Sequence, residues 1–413
     1  METKTIIVVG AGPAGIMAAI RAGQLRQDTT LIEANPILGK KLLLSGKGRC
    51  NLTNLCELEP FLRRFYRNGQ FLRDALKKFF NRDLMHFFEK RGLRLKVERQ
   101  LRVFPVTDKS NSILEVLKKE LRRNNVKIIY KASMKDVLVQ ENKIKGLMLS
   151  DGKFLPADRI ILATGGVSYS FTSSTGEGIE IAGKLGHSII PLRPGLVPLE
   201  IRQKFIKDLE GLTLKNISLK FSDGQRQIIS EIGELLFTDS GISGPLVLTL
   251  SGQIVDWLKE GKCVYAEIDL KPALSKEQLN ARLLREFHAN SLKSVKNVLK
   301  GLLPLRLISI FIGIADIDPD KKVSQVTRLE REKLISLLKC LHLDIVRPRP
   351  LDEAMVTRGG VSLKDINPRT MESRRIKGLY FAGEMIDVDA DTGGFNLQAA
   401  FSTGYLAGES AAL

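Results

Sequence analysis

Gly10-Ala11-Gly12-Pro13-Ala14-Gly15 follows the short apolar run Ile6–Val9 directly, and Glu33 stands eighteen residues beyond Gly15. Glycines at this spacing permit a tight turn and bring backbone N–H groups close to a pyrophosphate. Glu33, with Ala34 beside it, ends a second apolar run and can accept hydrogen bonds from the ribose hydroxyls of an adenosine. An acid at that place favours an unphosphorylated ribose, so the pattern fits FAD or NAD better than NADP.

The other end of the chain carries a second glycine-rich set. Gly378–Phe381 reads as a strand, followed by the turn Ala382-Gly383-Glu384 and by Asp387. Asp391-Thr392-Gly393-Gly394-Phe395-Asn396-Leu397-Gln398 then opens a final helix running through Ala399–Ala412. A glycine-rich helix N-terminus offers a positive dipole end and free N–H groups to an electron-rich flavin carbonyl. Ala163-Thr164-Gly165 supplies a contact between the two ends. NAD dehydrogenases do not ordinarily close their site with the last helix, so the expected cofactor is FAD.

Taken together, Gly10–Gly15 with Glu33, the run Lys40–Asn54, Arg102–Pro105 and Gly383-Glu384 with Gly393–Asn396 resemble the BaiN-like bacterial flavoproteins. Ser45-Gly46-Lys47-Gly48-Arg49-Cys50-Asn51-Leu52-Thr53-Asn54 is the most specific part, and the similarity extends over essentially the whole chain. The resemblance implies a glutathione-reductase-like FAD-binding Rossmann domain, discontinuous in sequence, with a β-barrel and a helical subdomain inserted. Members of that family are described as aminoacetone oxidases, flavin reductases or NAD(P)/FAD-dependent oxidoreductases. One stretch departs from the family: Ser170 and Ser173 precede Ser174-Thr175-Gly176-Glu177-Gly178, where relatives tend to have Pro and Gly before Ser-Thr-Gly-Asp-Gly.

Lys40–Asn54 makes physical sense as a loop beneath the flavin. Lys41 and Arg49 offer charge to the pyrophosphate or to a reduced, anionic ring, with Leu42 between them in the run. Ser45, Asn51 and Thr53 offer neutral hydrogen bonds, while Gly46 and Gly48 let the backbone approach. Cys50 has two readings. Beside Arg49 its thiol could have a lowered pKa and give a proton to a reduced product, or it could be a small buried packing residue.

These residues need elements to hold them. Ile6–Val9, a helix through about Arg26 and Thr30–Glu33 form a βαβ start. Leu62–Phe88 reads as helical, with Leu72, Leu76, Phe79, Phe80, Leu84 and Phe87 on one side. Ser112–Asn124 reads as another helix, and the stretch from Val126 to Ala163 as short strands turning at Glu141-Asn142 and Asp151-Gly152. The expected organisation is an FAD-binding part in residues 1–194 and 343–413. It is interrupted by a barrel-like insert at 195–270 and a helical insert at 271–342 that starts at a Ser275 cap.

Composition bounds the partners. The chain has 413 residues, 64 basic and 46 acidic, for a net charge of +18. Phe61–Arg102 holds thirteen Lys or Arg against four Asp or Glu, half of the excess. Such a balance favours polyanionic partners or anionic substrates. Four scattered cysteines and four scattered histidines show no metal-ligand spacing, so no metal is expected. No apolar run approaches the roughly 18 residues of a membrane span, and the N-terminus enters a strand rather than a signal peptide. A cytoplasmic location with reduced thiols is expected.

The absence of a second glycine fingerprint argues that NAD(P)H, as electron donor, would visit transiently. Relatives assigned as ribosomal RNA dihydrouridine synthases suggest reduction of uridine, with the Phe61–Arg102 segment meeting RNA through phosphates and aromatic stacking. A small-molecule flavoenzyme is the alternative: an amine oxidase of the aminoacetone type, or a reductase of an activated C=C bond. A flavin-dependent binding protein without turnover is a third class.

Overall fold

The computed structural model describes residues 3–413. Two units form: one from residues up to Gly195 together with Leu351–Leu413, the other from Leu196–Pro350.

The first unit is built on a five-stranded parallel sheet. Its order is Leu379–Phe381, Arg159–Leu162, Thr5–Val9, Asp28–Glu33, Lys127–Tyr130. The central strand Thr5–Val9 is an unbroken β-branched run because parallel strands covered on both faces need no polar alternation; Ile6 and Val8 are fully buried. Pro13–Gln24 follows as a helix with Pro at its first position, where the missing N–H has no partner to lose. The last helix, Phe395–Ala412, packs beside it. Gly10 turns the chain between strand and helix at φ +98°, where a Cβ would stand 2.5 Å from the Ala163 carbonyl oxygen.

Three smaller sheets complete this unit. Met134–Gln140, Lys143–Leu149 and Phe154–Pro156 form a meander that turns at Glu141-Asn142, both left-handed. Thr53–Asn54, Arg102–Pro105 and Leu95–Glu98 form a second, and Ile189–Gly195 pairs antiparallel with Val356–Val361 in a third.

The stretch expected as one helix over Leu62–Phe88 is broken. Leu58–Leu62, a short turn at Gly69–Leu72, Arg73–Lys78 and Asn81–Glu89 are separate pieces. The first piece ends at Leu62, and the chain folds back on it at Gly69, where a Cβ would fall 2.1 Å from the Leu62 carbonyl oxygen. Phe79 is extended between the last two pieces, at φ −151° and ψ 90°. The apolar spacing survives because each piece turns the same side to the core.

The second unit is a closed six-stranded barrel with helices. Thr213–Ser222, Gly233–Phe237, Gly241–Ser243, Leu199–Ile201, Leu341–Pro348 and Val264–Asp269 follow round the barrel, which closes between Val264–Asp269 and Thr213–Ser222. Helices Lys276–Ala289, Leu305–Ala315 and Arg328–Lys339 lie between the last two barrel strands in sequence. Ser275 caps the first of them, its Oγ accepting from Gln278 N–H at 3.2 Å. No helix is long and apolar enough to cross a membrane among the described residues.

Candidate functional site

Two helix N-termini face the site. The first helix begins at Gly12 and the last at Gly394, and neither has a side-chain cap. The N–H groups of each first turn therefore have no intrahelical acceptor. The helices run side by side in the same direction, because Gly404 lies against Ala14 and Gly408 against Ala18. Gly394 precedes Gly404 by ten residues while Gly12 precedes Ala14 by two. The two caps are consequently offset along the common axis by on the order of 12 Å.

At the first cap, an added Cβ on Gly12 would meet no atom within 4 Å, so the space over the turn is open. Gly15 is the opposite case, packed 1.8 Å from the Gly10 carbonyl oxygen by the same measure. Glu33 is 8% exposed. Its carboxylate accepts from Ala11 N–H at 2.8 Å and from the Asn35 N–H and Nδ2 at 2.7 Å each. Ala34 is exposed next to it. Thr164 Oγ1 is buried and has no hydrogen-bond partner among the described residues.

Between the caps lies a polar lattice. Lys41 Nζ donates to Ser168 Oγ at 2.7 Å and to Glu384 at 2.5 Å. Glu384 also accepts from Thr357 N–H at 2.7 Å and Ser168 Oγ at 2.9 Å. Gly383 N–H donates to Thr403 Oγ1 at 3.0 Å, joining that turn to the last helix. Leu42 is buried beneath, and Ser45 Oγ donates to the Leu42 carbonyl at 2.6 Å. Gly46 and Gly48 are left-handed, and Gly48 is open on its outer side.

At the second cap, the Asn51 amide turns its oxygen to Gly394 N–H (3.1 Å) and its nitrogen to the Thr53 carbonyl (3.2 Å). Thr53 Oγ1 donates to Gln398 at 2.6 Å. Asn396 holds Ala390 by both its N–H and carbonyl, at 2.9 Å each. Leu397 is partly buried. Asp387 takes the Asn68 amide at 3.0 Å, and burial pushes its carboxyl upward. Ala163 follows the strand Arg159–Leu162, its N–H donating to the Val9 carbonyl at 2.9 Å, Gly165 is left-handed, and the Gly393 carbonyl accepts from Asn54 Nδ2 at 3.2 Å.

Two sequence expectations change. Arg49 points to Glu98 (2.5 Å) and Asp108 (2.5 Å), with its guanidinium 4.2 Å above the Phe104 ring. Its charge is thus compensated by two carboxylates that lie far along the chain. Cys50 is fully buried, and burial pushes its thiol up to about 12. A lowered pKa beside Arg49 does not occur, because that cation faces away and the thiol is desolvated. The packing reading fits.

Sequence spacing did not point to Ser168, Thr357 or Thr403, and it placed Asn54 and Gln398 inside the quoted runs without giving them a role, although all five tie the site together. The small-residue spacing of Gly404 and Gly408 was the one local signal available for the helix contact.

The parallel sheet, glycine turn and acid at the second strand's end define a Rossmann-type dinucleotide-binding protein. The chain belongs to the HI0933-like family, whose Rossmann-domain description matches residues 4–410. It is 34% identical over 412 residues to a 3-dehydro-bile acid delta(4,6)-reductase of Clostridium scindens, covering 98% of each chain. It is 32% identical over 410 residues to a ribosomal RNA dihydrouridine synthase of Escherichia coli, covering 98% of this chain and 97% of that one. Among solved structures, a 3-ketosteroid delta1-dehydrogenase of Sterolibacterium denitrificans shares the fold at a TM-score of 0.55 and 13% identity, covering 99% of this chain and 100% of that one. A flavocytochrome c3 fumarate reductase does so at 0.50 and 18%, covering 100% of this chain and 78% of that one. The expected family and fold class are borne out, and the chain is an enzyme of the oxidoreductase class.

Proposed function

We propose that the chain is an FAD-dependent reductase that delivers hydride to a C=C bond conjugated to a carbonyl, with NAD(P)H as a transient donor. The observation carrying this reading is the pair of uncapped, parallel helix N-termini offset by on the order of 12 Å. A long dinucleotide with charge at its pyrophosphate and electron density at its ring matches that spacing. Gly10, Gly12, Pro13, Ala14 and Gly15 cradle the pyrophosphate, while Glu33 and Ala34 meet the adenosine ribose. Thr164 Oγ1, Ala163, Gly165, Gly383 and Glu384 with its Lys41 partner border the middle of the cofactor. Asn51, Thr53, Asp387, Gly393, Gly394, Asn396 and Leu397 surround the ring, over a floor made by Leu42, Ser45, Gly46 and Gly48. When bound, the flavin supplies two-electron hydride chemistry.

The activities for which the two relatives are named share one transformation. A 3-dehydro steroid with delta(4,6) unsaturation has its double bonds conjugated to a carbonyl, and so does the C5=C6 bond of uridine. For this chain, uridine in ribosomal RNA is favoured by charge. Arg63, Lys77, Lys90, Arg94 and Arg99 are exposed and form no ion pair among the described residues. Phosphate neutralisation needs such side chains. Stacking on the segment's phenylalanines is not part of the reading, because Phe61, Phe65, Phe79, Phe87 and Phe88 are buried. A small steroid-like enone is the second reading, favoured by the 34% identity to the bile acid reductase. The proposed location is the cytoplasm, where ribosomes and reduced pyridine nucleotides both occur.

The test is a purified protein and a deletion strain. Bound FAD, bleaching by NAD(P)H without oxygen, and loss of dihydrouridine from ribosomal RNA by mass spectrometry are the expected results. A colourless protein sinks the cofactor assignment. Unchanged dihydrouridine sinks the RNA substrate and leaves the enone reading standing.

A further inference from the structure

The loop Asp387–Asp391 leads into the glycine cap of the last helix, and one set of side chains converges on it. Asn68 Nδ2 donates to the Asp387 carbonyl at 2.9 Å and to its carboxylate at 3.0 Å. Tyr66 N–H donates to the Asp389 carbonyl at 3.1 Å, and Phe65 bridges Ala390. Ala390 in turn is held by Asn396 in the first turn of the last helix. Tyr66 therefore stands one residue from a position bonded directly to that turn.

Arg358 approaches the same place from the strand Val356–Val361. Its guanidinium lies 4.3 Å from the Tyr66 ring centre and 3.5 Å from the Asp389 carboxylate. Arg67 lies 5.0 Å from the centre of the same ring. Arg358 is 6% exposed, in a strand whose six residues are all buried. Its stem passes Gly195, where a Cβ would come within 2.8 Å. A buried cation is costly to desolvate, and a neutral residue could pin two loops as well. Thr357, one residue earlier, donates its N–H to Glu384 in the candidate site. The strand thus brings Arg358 to the edge of the region where the ring end of the cofactor is placed.

We propose that Arg358, held by Tyr66 and Asp389, binds the carbonyl oxygen of the conjugated substrate. This rests on the flavin reductase reading and deepens it. Hydride from the reduced flavin, one proton and two electrons, forms a C–H bond at the β-carbon. The C=C pair shifts toward the carbonyl, whose π bond breaks to leave an enolate oxygen. A proton from water then forms the C–H bond at the α-carbon, and the C=O is restored. The charge that develops on oxygen meets the Arg358 guanidinium, a permanently charged group whose N–H donors lie in a fixed planar fork. Asp389 and the Tyr66 face keep that guanidinium from turning. Tyr66 is a positioning residue here, and Arg358 the catalytic one.

A phenolate mimics the enolate, because it offers an anionic oxygen and a flat ring that gives a long-wavelength charge-transfer band on an oxidised flavin. The probe is 4-chlorophenol, titrated into the FAD-loaded, full-length protein. Wild type is expected to show the band, and Arg358→Gln to bind at least about tenfold more weakly with its FAD content unchanged. Arg358→Lys, which keeps charge but loses the fork, should fall between them. Tyr66→Leu should weaken the band while leaving flavin in place. Equal affinity in FAD-loaded wild type and Arg358→Gln overturns the inference, as does FAD-loaded wild type without a band. If Arg358→Gln does not fold, Arg358→Lys decides: unchanged affinity overturns, a clear loss supports. Wild type lacking FAD overturns the underlying reading and this inference with it.

Discussion

Gly404 lies so close to Ala14 that a Cβ added to it would fall 2.1 Å from the Ala14 carbonyl oxygen. The same holds one turn on, where Gly408 would meet Ala18 at 2.3 Å. The first and last helices thus touch backbone to backbone, and that contact sets the offset between their glycine caps. Gly404→Val must push the helices apart, since the obstacle is main chain and cannot change rotamer. A loss of about 2–3 kcal/mol is expected from overpacking. It should appear as a lower urea midpoint with an unchanged slope, accompanied by poor flavin retention.

The same helix pair is joined by charge. Glu409 accepts from Arg21 at 2.5 Å and pairs with Lys78 at 2.7 Å. Burial alone would raise its carboxyl, but the hydrogen bonds from Lys78 and Arg21 outweigh it and hold the pKa below the ordinary carboxylate value. A depressed native pKa stabilises the fold above the unfolded value and loses that stabilisation as pH falls through the folded one. Glu409→Gln should therefore cost stability at pH 7, and the difference should shrink below about pH 4.3, the usual Glu value. Denaturant titrations at the two pH values check it; a difference that is constant with pH removes the ion pair from the account.

Much of this was readable from the chain because the signals were local. Gly10–Gly15 with Glu33 lie inside one βαβ unit, and Gly393-Gly394 directly precede the helix they cap. Where contacts are distant, the reading failed or was silent. Arg49 sits in the expected loop, yet Glu98 and Asp108 decide where its charge goes. Leu341–Pro348 completes the barrel from beyond the inserted helices: its alternation of Leu341, Leu343 and Ile345 with His342 and Asp344 is local, but its partners Leu199–Ile201 and Val264–Asp269 are distant in the chain. The helix expected over Leu62–Phe88 failed for another reason. Apolar spacing reports which side is buried, while Gly69 and Phe79 decide whether the backbone continues. Tyr66 and Arg358 belong to segments that carry no shared pattern, so only the folded chain pairs them.

Glu33 offers a cleaner test of the adenosine end than a truncation would. Alanine leaves the Ala11 and Asn35 donors without their acceptor, confusing folding with binding. Glu33→Gln keeps an acceptor and removes the charge. Hydrogen bonds to a charged group contribute about 1.5–3 kcal/mol, so FAD affinity should fall by at least about tenfold. The thermal midpoint falls as well, because the new NH2 faces a donor at Ala11 or Asn35, and affinity is compared at a temperature where both proteins are folded. Flavin released on gel filtration measures this. Full retention would remove Glu33 from the ribose.

Cys50 should be chemically silent in the folded protein. Its thiol is fully buried and raised to about 12, whereas Cys263 and Cys340 are exposed. Native protein at pH 8 should leave Cys50 unlabelled by maleimide over the time Cys263 is consumed, and unfolding should release it. Cys50→Ala should lower stability by about 1–2 kcal/mol through the lost packing while leaving the pH profile of turnover unchanged. A missing acidic or basic limb in that profile would restore Cys50 as a proton donor.

The basic face makes the last prediction, and it separates the two substrate readings. Lys77 and Arg94 are exposed and form no ion pair among the described residues, so reversing them should not disturb the core. If ribosomal RNA is the substrate, each side chain that neutralises a phosphate adds about 0.7–0.9 to the slope of log affinity against log salt. Lys77→Glu with Arg94→Glu should then lower that slope by roughly 1.4–1.8 and weaken RNA binding at every sequence tested. Flavin content and the reaction with a neutral enone should not move, because neither involves those side chains. Filter binding at several potassium chloride concentrations reads the slope. An unchanged slope in the double variant takes this face out of RNA recognition and leaves the small-enone reading as the stronger one.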